Sequence, residues 1–266
     1  MRSIRPQELQ SALASAGLRP GDVTMVHSAL FRLGQIGDAP IQEIPSRIYA
    51  ALRRQVGPEG TIVVPTFNFE FCRGREFDRN HSPSKSMGAF SEYVRQLPDS
   101  RRSPHPIQSL AAIGPLAKDI THRDTAGAFE EDSSFDAVIE YDAKILTIGC
   151  GFEAVSLVHW AEEQVGVPYR YWKSFSGPYR DGRWAGHKTY QMYVRDLDLD
   201  PEVRLERIGR ALRRRGELRR LRLGAGAVTA CRARDFAVAA LQLLRRDPTA
   251  LIRPIASDNT EASNAR

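Results

Sequence analysis

The sequence predicts an α/β fold, in which a mixed, largely parallel sheet with covering helices forms a single compact unit. Three short apolar stretches, at residues 23–27, 61–64 and 144–148, have the length of buried strands. A segment of helical length at about 41–56 connects the first two. A strand, a helix and a second strand in this order form a crossover, which makes the two strands parallel. The chain contains neither an internal repeat nor a Gly/Ser linker, which favours one unit.

Helix and strand patterns alternate through the first half of the chain. Residues 6–17 repeat apolar side chains at helical spacing, with a proline in the first turn and a glycine at the C-terminal cap. Residues 68–85 are polar and irregular, which predicts a long surface loop. A helix is expected at 86–97, beginning at a serine cap, and a strand at 110–113.

The second half continues the same alternation and then ends in a polar tail. We place the domain at residues 1–256, because residues 257–266 are small and polar and are expected to form a disordered tail. The predicted elements are a helix at 135–141, the strand 144–148, a helix at 154–165, a loop rich in Gly, Pro and aromatic residues at 169–183, a strand at 187–197, a helix from Pro201, strands near Leu221 and Val228, and a helix at 234–245.

The composition is that of an ordinary globular protein, with 42% hydrophobic and 26% charged residues. The apolar stretches are far shorter than the roughly 20 residues that cross a bilayer. The N-terminus has no apolar region of the kind found in export signals, so a cytoplasmic protein without a membrane partner is expected. The three cysteines are widely spaced, which indicates neither a disulfide framework nor a metal site. The sequence allows assembly into a homo-oligomer.

The basic residues are concentrated late in the chain. The formal net charge is +6 and the pI is about 9.4, so an anionic partner such as a phosphorylated small molecule is favoured. Much of the excess lies in residues 204–222, where a solvated helix face followed by a turn is the first interpretation. Neither aromatic residues between these arginines nor a helix-turn-helix or RNA-binding signature is present. A nucleic-acid-binding protein is therefore the weaker alternative.

A histidine and a glutamate share one face of the predicted helix 154–165. His159 and Glu162 are three residues apart, and the helix follows a strand that ends in Gly149-Cys150-Gly151. In acyl transfer to an amine, an imidazole can take the proton of the acceptor, and a carboxylate can fix its tautomer and stabilise the imidazolium. A solvated surface pair is the other interpretation of this spacing.

Two further segments carry polar groups in positions that suit acyl-donor binding. Prolines restrict residues 101–109 to an extended path, so the hydroxyls and the imidazole of this segment are presented in a fixed order. The segment 27–34 follows the first strand directly, where backbone amides can hold a pyrophosphate. Taken alone, the first segment is equally an ordinary buried turn, and the second has no dinucleotide-binding glycine pattern.

These segments occur together in an order that resembles the aminoglycoside 3-N-acetyltransferase family. The resemblance covers about residues 21–168, over half of the chain. It rests on His27-Ser28-x-Leu30-x-x-x-Gly34, on Gly60-Thr61-Ile62-Val63-Val64-Pro65-Thr66-Phe67, on Phe77-Asp78 followed by Ser82-Pro83-Ser84, on Met87-Gly88, on Arg102-Ser103-x-His105-Pro106-x-x-Ser109, and on the helical stretch 157–162.

The resemblance implies an N-acetyltransferase of the same fold type that uses acetyl-CoA as acyl donor and no metal. His159 would be the general base and Glu162 its partner. The expected acceptor is an amino group of an aminoglycoside, as in antibiotic resistance, or of a related amino sugar. The other implied contacts are Ser28, Ala29, Leu30, Arg102, Ser103, His105 and Ser109 with coenzyme A, and Phe67, Asp78 and Tyr169 at the acceptor cleft.

Departures from the family pattern concern the acceptor more than the reaction. Ser156 stands where a threonine is common, Val158 replaces the usual leucine, and the aromatic run 169–172 differs from typical antibiotic-modifying enzymes. A polycationic antibiotic requires acidic subsites, whereas the chain is basic overall. A nucleotide-linked amino sugar of polysaccharide or natural-product biosynthesis is therefore the alternative acceptor.

Two other chemistries compete with this interpretation. Cys150 lies at a strand end and nine residues before His159, an arrangement that a cysteine amidase could use, although a small buried residue is the simpler interpretation. Metal chemistry is disfavoured, because the histidines lack the spacing of a zinc-binding helix.

Overall fold

A seven-stranded sheet between two layers of helices forms the body of the protein, and a three-stranded sheet lies beside it. The computed structural model describes residues 3–199 and 203–253. The strands are β1 (Val23–Ser28), β2 (Thr61–Pro65), β3 (Phe77–Asp78), β4 (Arg101–Arg102), β5 (Leu110–Ile113), β6 (Lys144–Ile148), β7 (Arg170–Asp181), β8 (Trp184–Arg195), β9 (Arg219–Leu223) and β10 (Gly226–Arg232). The helices are α1 (Pro6–Ser15), α2 (Ile44–Val56), α3 (Gly88–Arg95), α4 (Ala117–Thr121), α5 (Ser134–Glu140), α6 (Val158–Val165), α7 (Glu206–Arg214) and α8 (Ala233–Arg246).

The large sheet has the strand order β4-β5-β2-β1-β6-β10-β9. The central strand β1 is parallel to both neighbours, β2 and β6. The outer strands β4, β5, β10 and β9 join antiparallel. The predicted α/β fold, a mixed sheet with covering helices, is confirmed, and its parallel pairings form the centre. The carboxyl ends of β1, β2 and β6 consequently meet at one edge of the sheet.

Alternate residues of the central strands pack on opposite faces of this sheet. Met25 and Ile145 contact one cluster, which also contains apolar side chains of α4 to α8. Val26 and Leu146 face the other way and pack with side chains of α1, α2 and α3. This alternation follows from the two-residue period of a strand. The buried clusters on both faces hold the edge with the strand ends in a fixed geometry.

The small sheet corrects one prediction from the sequence. Residues 169–183, expected to form a loop, are mostly strand β7, which pairs with β8 from Arg170–Arg195 to Asp181–Trp184. Long stretches of both strands are exposed, so the period-2 burial pattern is weak, and Gly177 and Pro178 look like turn residues. Pairing with a continuous partner strand overrides these local signals. β3 adds a third strand, parallel to β7.

The remaining differences lie at element boundaries. The region predicted as one helix at 154–165 contains a 3-10 turn at 152–154, an extended Val155, and α6, which begins at 158. The loop 68–85 contains β3 and a 3-10 turn at 71–73, and α4 had not been predicted. The helix start at Pro201 and the tail 257–266 lie outside the described residues. None of the described helices combines the length and apolar character that a membrane span requires.

Candidate active site

Two loops meet at the edge where the parallel strands end. The loop after β1 and the loop between β6 and α6 line a cavity of about 800 Å³, together with residues from α2 and α3. Gly149 has a φ of +75°, and a Cβ there would lie 2.5 Å from the carbonyl oxygen of Ala29. A side chain at position 149 is therefore excluded by both its backbone conformation and this close approach. The Ala29 amide in turn donates to the Ile148 carbonyl oxygen at 2.9 Å.

The predicted histidine–glutamate pair is formed at the first two turns of α6. His159 Nδ1 lies 2.7 Å from Oε2 of Glu162. Because an ionised carboxylate only accepts hydrogen bonds, Nδ1 carries the proton and donates it, which leaves the lone pair of neutral His159 on Nε2. The His159 side chain is 28% exposed, while that of Glu162 is fully buried. No described residue is a hydrogen-bond partner of Nε2.

Three groups hold the buried Glu162 in place. Tyr169 donates its hydroxyl to Oε1 at 2.9 Å, and Arg170 Nε lies 2.9 Å from Oε2. Burial alone would raise the pKa of the Glu162 carboxyl. The hydrogen bond and the charge of His159, the charge of Arg170 and the Tyr169 hydroxyl outweigh burial and hold this pKa below its usual value. Glu162 is therefore an anion that orients the imidazole and stabilises its protonated form.

Two of the residues around Glu162 differ from the prediction. Arg170 was not predicted as a site residue, and Tyr169 was expected to face the acceptor. Tyr169, predicted at the acceptor cleft, is 1% exposed, and its hydroxyl donates a hydrogen bond to Glu162. Arg170 forms an ion pair with Glu162 through Nε without a hydrogen bond, and it donates from a terminal nitrogen to the Tyr193 carbonyl oxygen at 3.1 Å. The left-handed C-cap Gly166 ends α6 and returns the chain, so residues 169 and 170 reach back to Glu162. A tyrosine and an arginine after a helix-ending glycine were the only signal in the sequence.

The predicted donor-binding residues of the first loop do line the cavity. Ser28, Ala29 and Leu30 are all in its wall. His27, which sequence reasoning did not select, lines it as well and is only 3% exposed. Its Nε2 and the Ser28 Oγ are buried without a hydrogen-bond partner. Burial lowers the pKa of His27 to about 4, so its ring is neutral at physiological pH. Buried polar atoms of this kind fit a ligand that supplies hydrogen bonds.

The predicted donor-binding residues of the second segment are engaged within the protein. Arg102 is 5% exposed and donates to Ser109 Oγ at 3.0 Å, to the Ser82 carbonyl oxygen at 2.6 Å and to the Thr66 carbonyl oxygen. Ser103 Oγ accepts from the Leu110 amide at 2.9 Å. These contacts fix the segment against β2 and β5. None of these residues lines the cavity, and a role in coenzyme A binding stays a prediction.

His105 joins the segment to the small sheet. Its Nδ1 accepts from the Gln108 amide at 3.1 Å, so Nε2 carries the proton and donates to the Gln191 carbonyl oxygen at 3.2 Å. Burial lowers the pKa of His105 to about 4. With both ring nitrogens used and the ring against Tyr190, His105 supports the fold around the site.

Phe67 and Asp78, the other predicted acceptor residues, are also used internally. Phe67 is 5% exposed and stacks edge-on against Phe135 at 6.2 Å between ring centroids. Asp78 accepts from the amides of Asn80 and His81 in its own loop. Phe67 is separated from His159 by two further rings. Phe135 packs on Phe129, and the ring centroid of Phe129 lies 5.5 Å from that of the imidazole. A contact of either residue with an acceptor stays a prediction.

A second glutamate of α6, Glu163, lies one turn after His159. This spacing places both residues on one side of α6. Burial, and then the nearby charge of Glu130, raise the pKa of Glu163 to about 8. Glu130 Oε2 and the Trp172 ring both lie against Gly127, within 3.4 Å of where its Cβ would be. The group of Glu130, Glu163 and the neighbouring Trp172, here called the acidic side, was not predicted from the sequence.

The structure does not support Cys150 as a nucleophile. Burial raises the pKa of its thiol to about 11, so it carries a proton at neutral pH. Cys150 lines a different cavity from the one that Ser28 borders. It also precedes α6, the helix that carries His159, which begins at residue 158. Among the described residues, no three histidine, cysteine or acidic side chains are grouped to hold a metal ion.

Comparison with known proteins places this chain in a family. The family model described as aminoglycoside 3-N-acetyltransferase matches residues 25–245. Aminoglycoside N(3)-acetyltransferase III of Serratia marcescens is 30% identical over 200 residues, which cover 67% of this chain and 72% of that enzyme. The chain spans about two thirds of the length of the relatives from Salmonella and Enterobacter cloacae that it matches.

Solved structures share the fold over nearly the whole chain. The sisomicin-bound acetyltransferase AAC-VIa is 26% identical and superposes with a TM-score of 0.79 over 92% of this chain and 99% of that one. AAC-IIIb, solved as a binary complex with CoASH, has 23% identity and a TM-score of 0.79 over 92% of this chain and 97% of that one. The predicted family and enzyme class are thus confirmed: the chain belongs to the aminoglycoside 3-N-acetyltransferase family and is an N-acetyltransferase.

Proposed function

We propose that this protein transfers the acetyl group of acetyl-CoA to an amino group of an aminoglycoside or a related amino sugar, with His159 as general base. The observation that carries the proposal is the hydrogen bond of 2.7 Å between His159 Nδ1 and the buried Glu162, which leaves Nε2 as the proton acceptor. An amine is a nucleophile only after it has lost its extra proton, and a neutral imidazole is suited to this transfer near neutral pH.

The residues of the site divide the work of the reaction. His159 Nε2 accepts the proton that leaves the acceptor nitrogen as this nitrogen attacks. Glu162, kept ionised by its partners, stabilises the imidazolium, and Tyr169 and Arg170 hold the carboxylate in position. Bound acetyl-CoA supplies a thioester whose C–S bond breaks as the C–N bond forms. His159 then returns the proton to the sulfur, so the base is regenerated.

The donor fits the cavity between the β1 and β6 loops. This cavity is lined by Ser28, Ala29 and Leu30 and is continued toward α6 by Ala154 and Ser156. Its volume of about 800 Å³ is within the range of small-molecule sites. His27 Nε2 and Ser28 Oγ are available to hydrogen-bond the amides of the pantetheine arm, since neither has a partner in the protein. Ser156 lines this cavity and is three residues before His159, which does not itself line it, so we expect the thioester to reach from this end toward the base.

The acceptor fits the acidic side next to His159. Glu163 and Glu130 provide carboxylates for a polycationic sugar, and Trp172, whose side chain is 48% exposed, provides an aromatic surface for its ring. An approaching ammonium would favour the ionised form of Glu163, so binding is expected to release a proton. The relative AAC-VIa, whose structure contains sisomicin, supports an aminoglycoside as the first acceptor to test.

The proposal is tested by following free thiol release from acetyl-CoA with a panel of amines. The panel contains sisomicin and other aminoglycosides, UDP-linked amino sugars and dTDP-linked amino sugars. We expect turnover with aminoglycosides, and Cys150→Ala should retain it. Turnover confined to the nucleotide-linked sugars would reject the proposed acceptor, and turnover lost with Cys150→Ala in a folded protein would reject the proposed mechanism.

A further inference from the structure

A second large cavity lies on the other side of the loop between β6 and α6. Its volume is about 1060 Å³, and it is bounded by this loop, α7, β9 and β10. Six arginines and two glutamates line it, a net charge of +4 within one concave surface. The arginines of this basic cavity are Arg32, Arg204, Arg210, Arg213, Arg220 and Arg222. All but Arg32 come from the basic segment noted in the sequence.

The helix α7 and the strand β9 place four of these arginines around the same cavity. Arg210 and Arg213 are three residues apart on α7, and Arg220 and Arg222 are two apart on the edge strand β9, so each pair shares a face. None of these four side chains forms an ion pair with a described residue, although exposed arginines elsewhere in the protein do, as in the pairs Arg5–Glu8 and Arg47–Glu43. These four arginines thus bring to the basic cavity positive charge that no described residue neutralises in an ion pair.

A glycine of α7 lines this cavity without being required by packing. Gly209 lies in the middle of the helix and lines the cavity, yet a Cβ built there would contact nothing within 4 Å. Packing within the protein therefore does not require a glycine at this position. Glycine in a helix interior costs about 1 kcal/mol relative to alanine. Open space beside a backbone without a side chain is what the close approach of a ligand requires.

The basic cavity borders the cavity assigned to the acyl donor. Arg32 lines both, and residues 149–153 line one while Ala154 and Ser156 line the other. Arg32 forms an ion pair with Glu153, with 3.6 Å between its Nη1 and the Oε1 of the glutamate. Among the described residues that line the donor cavity, Arg32 is the only arginine or lysine. Several phosphates could therefore be neutralised in the basic cavity but not in the donor cavity.

We propose that the basic cavity binds the phosphate groups of a nucleotide. A concave space of this size holds a nucleotide, whereas duplex nucleic acid is bound by a stripe of charge along a surface. Arginine is suited to the task because its guanidinium group can hold phosphate oxygens with two parallel hydrogen bonds. The nucleotide can be the phosphoadenosine end of acetyl-CoA, which rests on the proposed function, or a separate nucleotide, which does not.

Calorimetric titration of the full chain at about 0.15 M salt, where long-range attraction is screened, tests this proposal without any acyl transfer. The probes are adenosine 3′,5′-bisphosphate and ATP. The variant Arg213→Gln/Arg222→Gln removes two charges from the basic cavity. The control Arg214→Gln/Arg246→Gln removes two exposed charges that do not line it. We expect the cavity variant to weaken at least one probe by about tenfold or more, since two charge-assisted hydrogen bonds are lost, and the control to change it less than twofold.

Competition with coenzyme A distinguishes the two sources. Displacement of the bound probe by coenzyme A would assign the basic cavity to the donor, and simultaneous binding would assign it to a separate nucleotide; either result supports the site. Equal weakening in the cavity variant and the control, or no binding of either probe to the wild type, would overturn the proposal. Neither overturning result affects thiol release with an aminoglycoside, so this site and the proposed reaction fail separately.

Discussion

The two sides of the loop between β6 and α6 differ in charge. On the side of α6, Glu163 lies one helical turn after His159, with the charge of Glu130 nearby. On the other side, arginines of α7 and β9 line the basic cavity. The net charge of +6 therefore says little about the acceptor, because much of the excess lies in the segment that forms the basic cavity. The net charge alone therefore does not exclude a polycationic acceptor.

The difference matches the charges of the two proposed substrates. An aminoglycoside is a polycation, and the phosphate end of acetyl-CoA is a polyanion. The basic cavity would attract the phosphate end, and Glu130, together with Glu163 once an ammonium favours its ionised form, would attract the polycation. Variants that change one side and leave the other intact test whether each side binds its own substrate.

The largest effect is expected from the base itself. His159→Ala should lower kcat/KM for acetyl transfer by roughly 100-fold to 10,000-fold, because one general base is lost. Coenzyme A affinity should stay within twofold of wild type, since the imidazole acts on the acceptor. Thiol release and calorimetry on the same samples measure the two quantities. The exposed His187 of β8, replaced by alanine, is the matched control and should change neither. Wild-type turnover in His159→Ala would remove the base from this account.

The next effect is expected from the partner of the base. Glu162→Gln keeps the shape but removes the charge that stabilises the imidazolium, so kcat should fall by roughly 10-fold to 1000-fold. Arg170 would lose its buried partner, at a cost of about 3 kcal/mol in the free energy of unfolding. Tyr169→Phe removes only one hydrogen bond and should cost about 1 kcal/mol. Urea denaturation and steady-state rates check both variants, and a fully active, fully stable Glu162→Gln would contradict this role.

The same carboxylate predicts how stability depends on pH. The pKa of Glu162 is lower in the folded protein than its ordinary value of 4.5. Its stabilising contribution is therefore complete above pH 4.5 and is lost as the pH falls through the folded pKa. The stability difference between wild type and Glu162→Gln should shrink as the solution is acidified below about pH 4. A difference that stays constant with pH would mean that the carboxylate is not stabilised as described.

A smaller effect is expected on the donor side. His27→Leu removes a buried nitrogen that has no partner in the protein and lines the donor cavity. If this nitrogen bonds the pantetheine arm, the Kd of coenzyme A should rise about 3-fold to 10-fold. Thr147→Val is the matched control, because Thr147 lies opposite His27 in the sheet and its buried hydroxyl also lacks a partner but does not line the cavity. Equal affinities in the two variants would exclude His27 from donor binding.

The smallest effect is expected on the acceptor side. With a folded pKa of about 8, Glu163 keeps its proton between pH 4.5 and 8, where the unfolded chain has lost it. Glu163 therefore destabilises the fold progressively as the pH rises through this window. Glu163→Gln should raise the Tm by roughly 2–4 °C at pH 8 and leave it unchanged at pH 4. It should also weaken sisomicin binding and leave coenzyme A binding unchanged. A lower Tm at pH 8 would contradict the assigned shift.

The sequence predicts the parts of this protein that depend on local pattern. The strands β1, β2 and β6 are continuous apolar runs, and the spacing of His159 and Glu162 is set by the helix that carries them. The buried partners Tyr169 and Arg170 depend on how the chain returns after Gly166, which no periodicity encodes. Strand β7 was missed because its pairing with β8, rather than burial, makes it a strand.

The same limit explains the predicted contacts of the segment 101–109. The segment was expected to run extended, but it turns between the antiparallel strands β4 and β5, and hydrogen bonds hold its hydroxyls, guanidinium and imidazole in place. Whether such groups face a ligand or the protein is decided by neighbours distant in sequence, such as Thr66 and Gln191. The separation of charge between the two sides was likewise hidden, because net charge adds residues that the fold keeps apart.

A crystal structure with both coenzyme A and sisomicin bound would show whether His159 is the general base. We expect one amino nitrogen of sisomicin within about 3 Å of His159 Nε2, with the sulfur of coenzyme A beside it and the remaining ammonium groups toward Glu163 and Glu130. Sisomicin bound in the basic cavity, or its amines turned away from an imidazole that has no access to the sulfur, would exclude this role of His159.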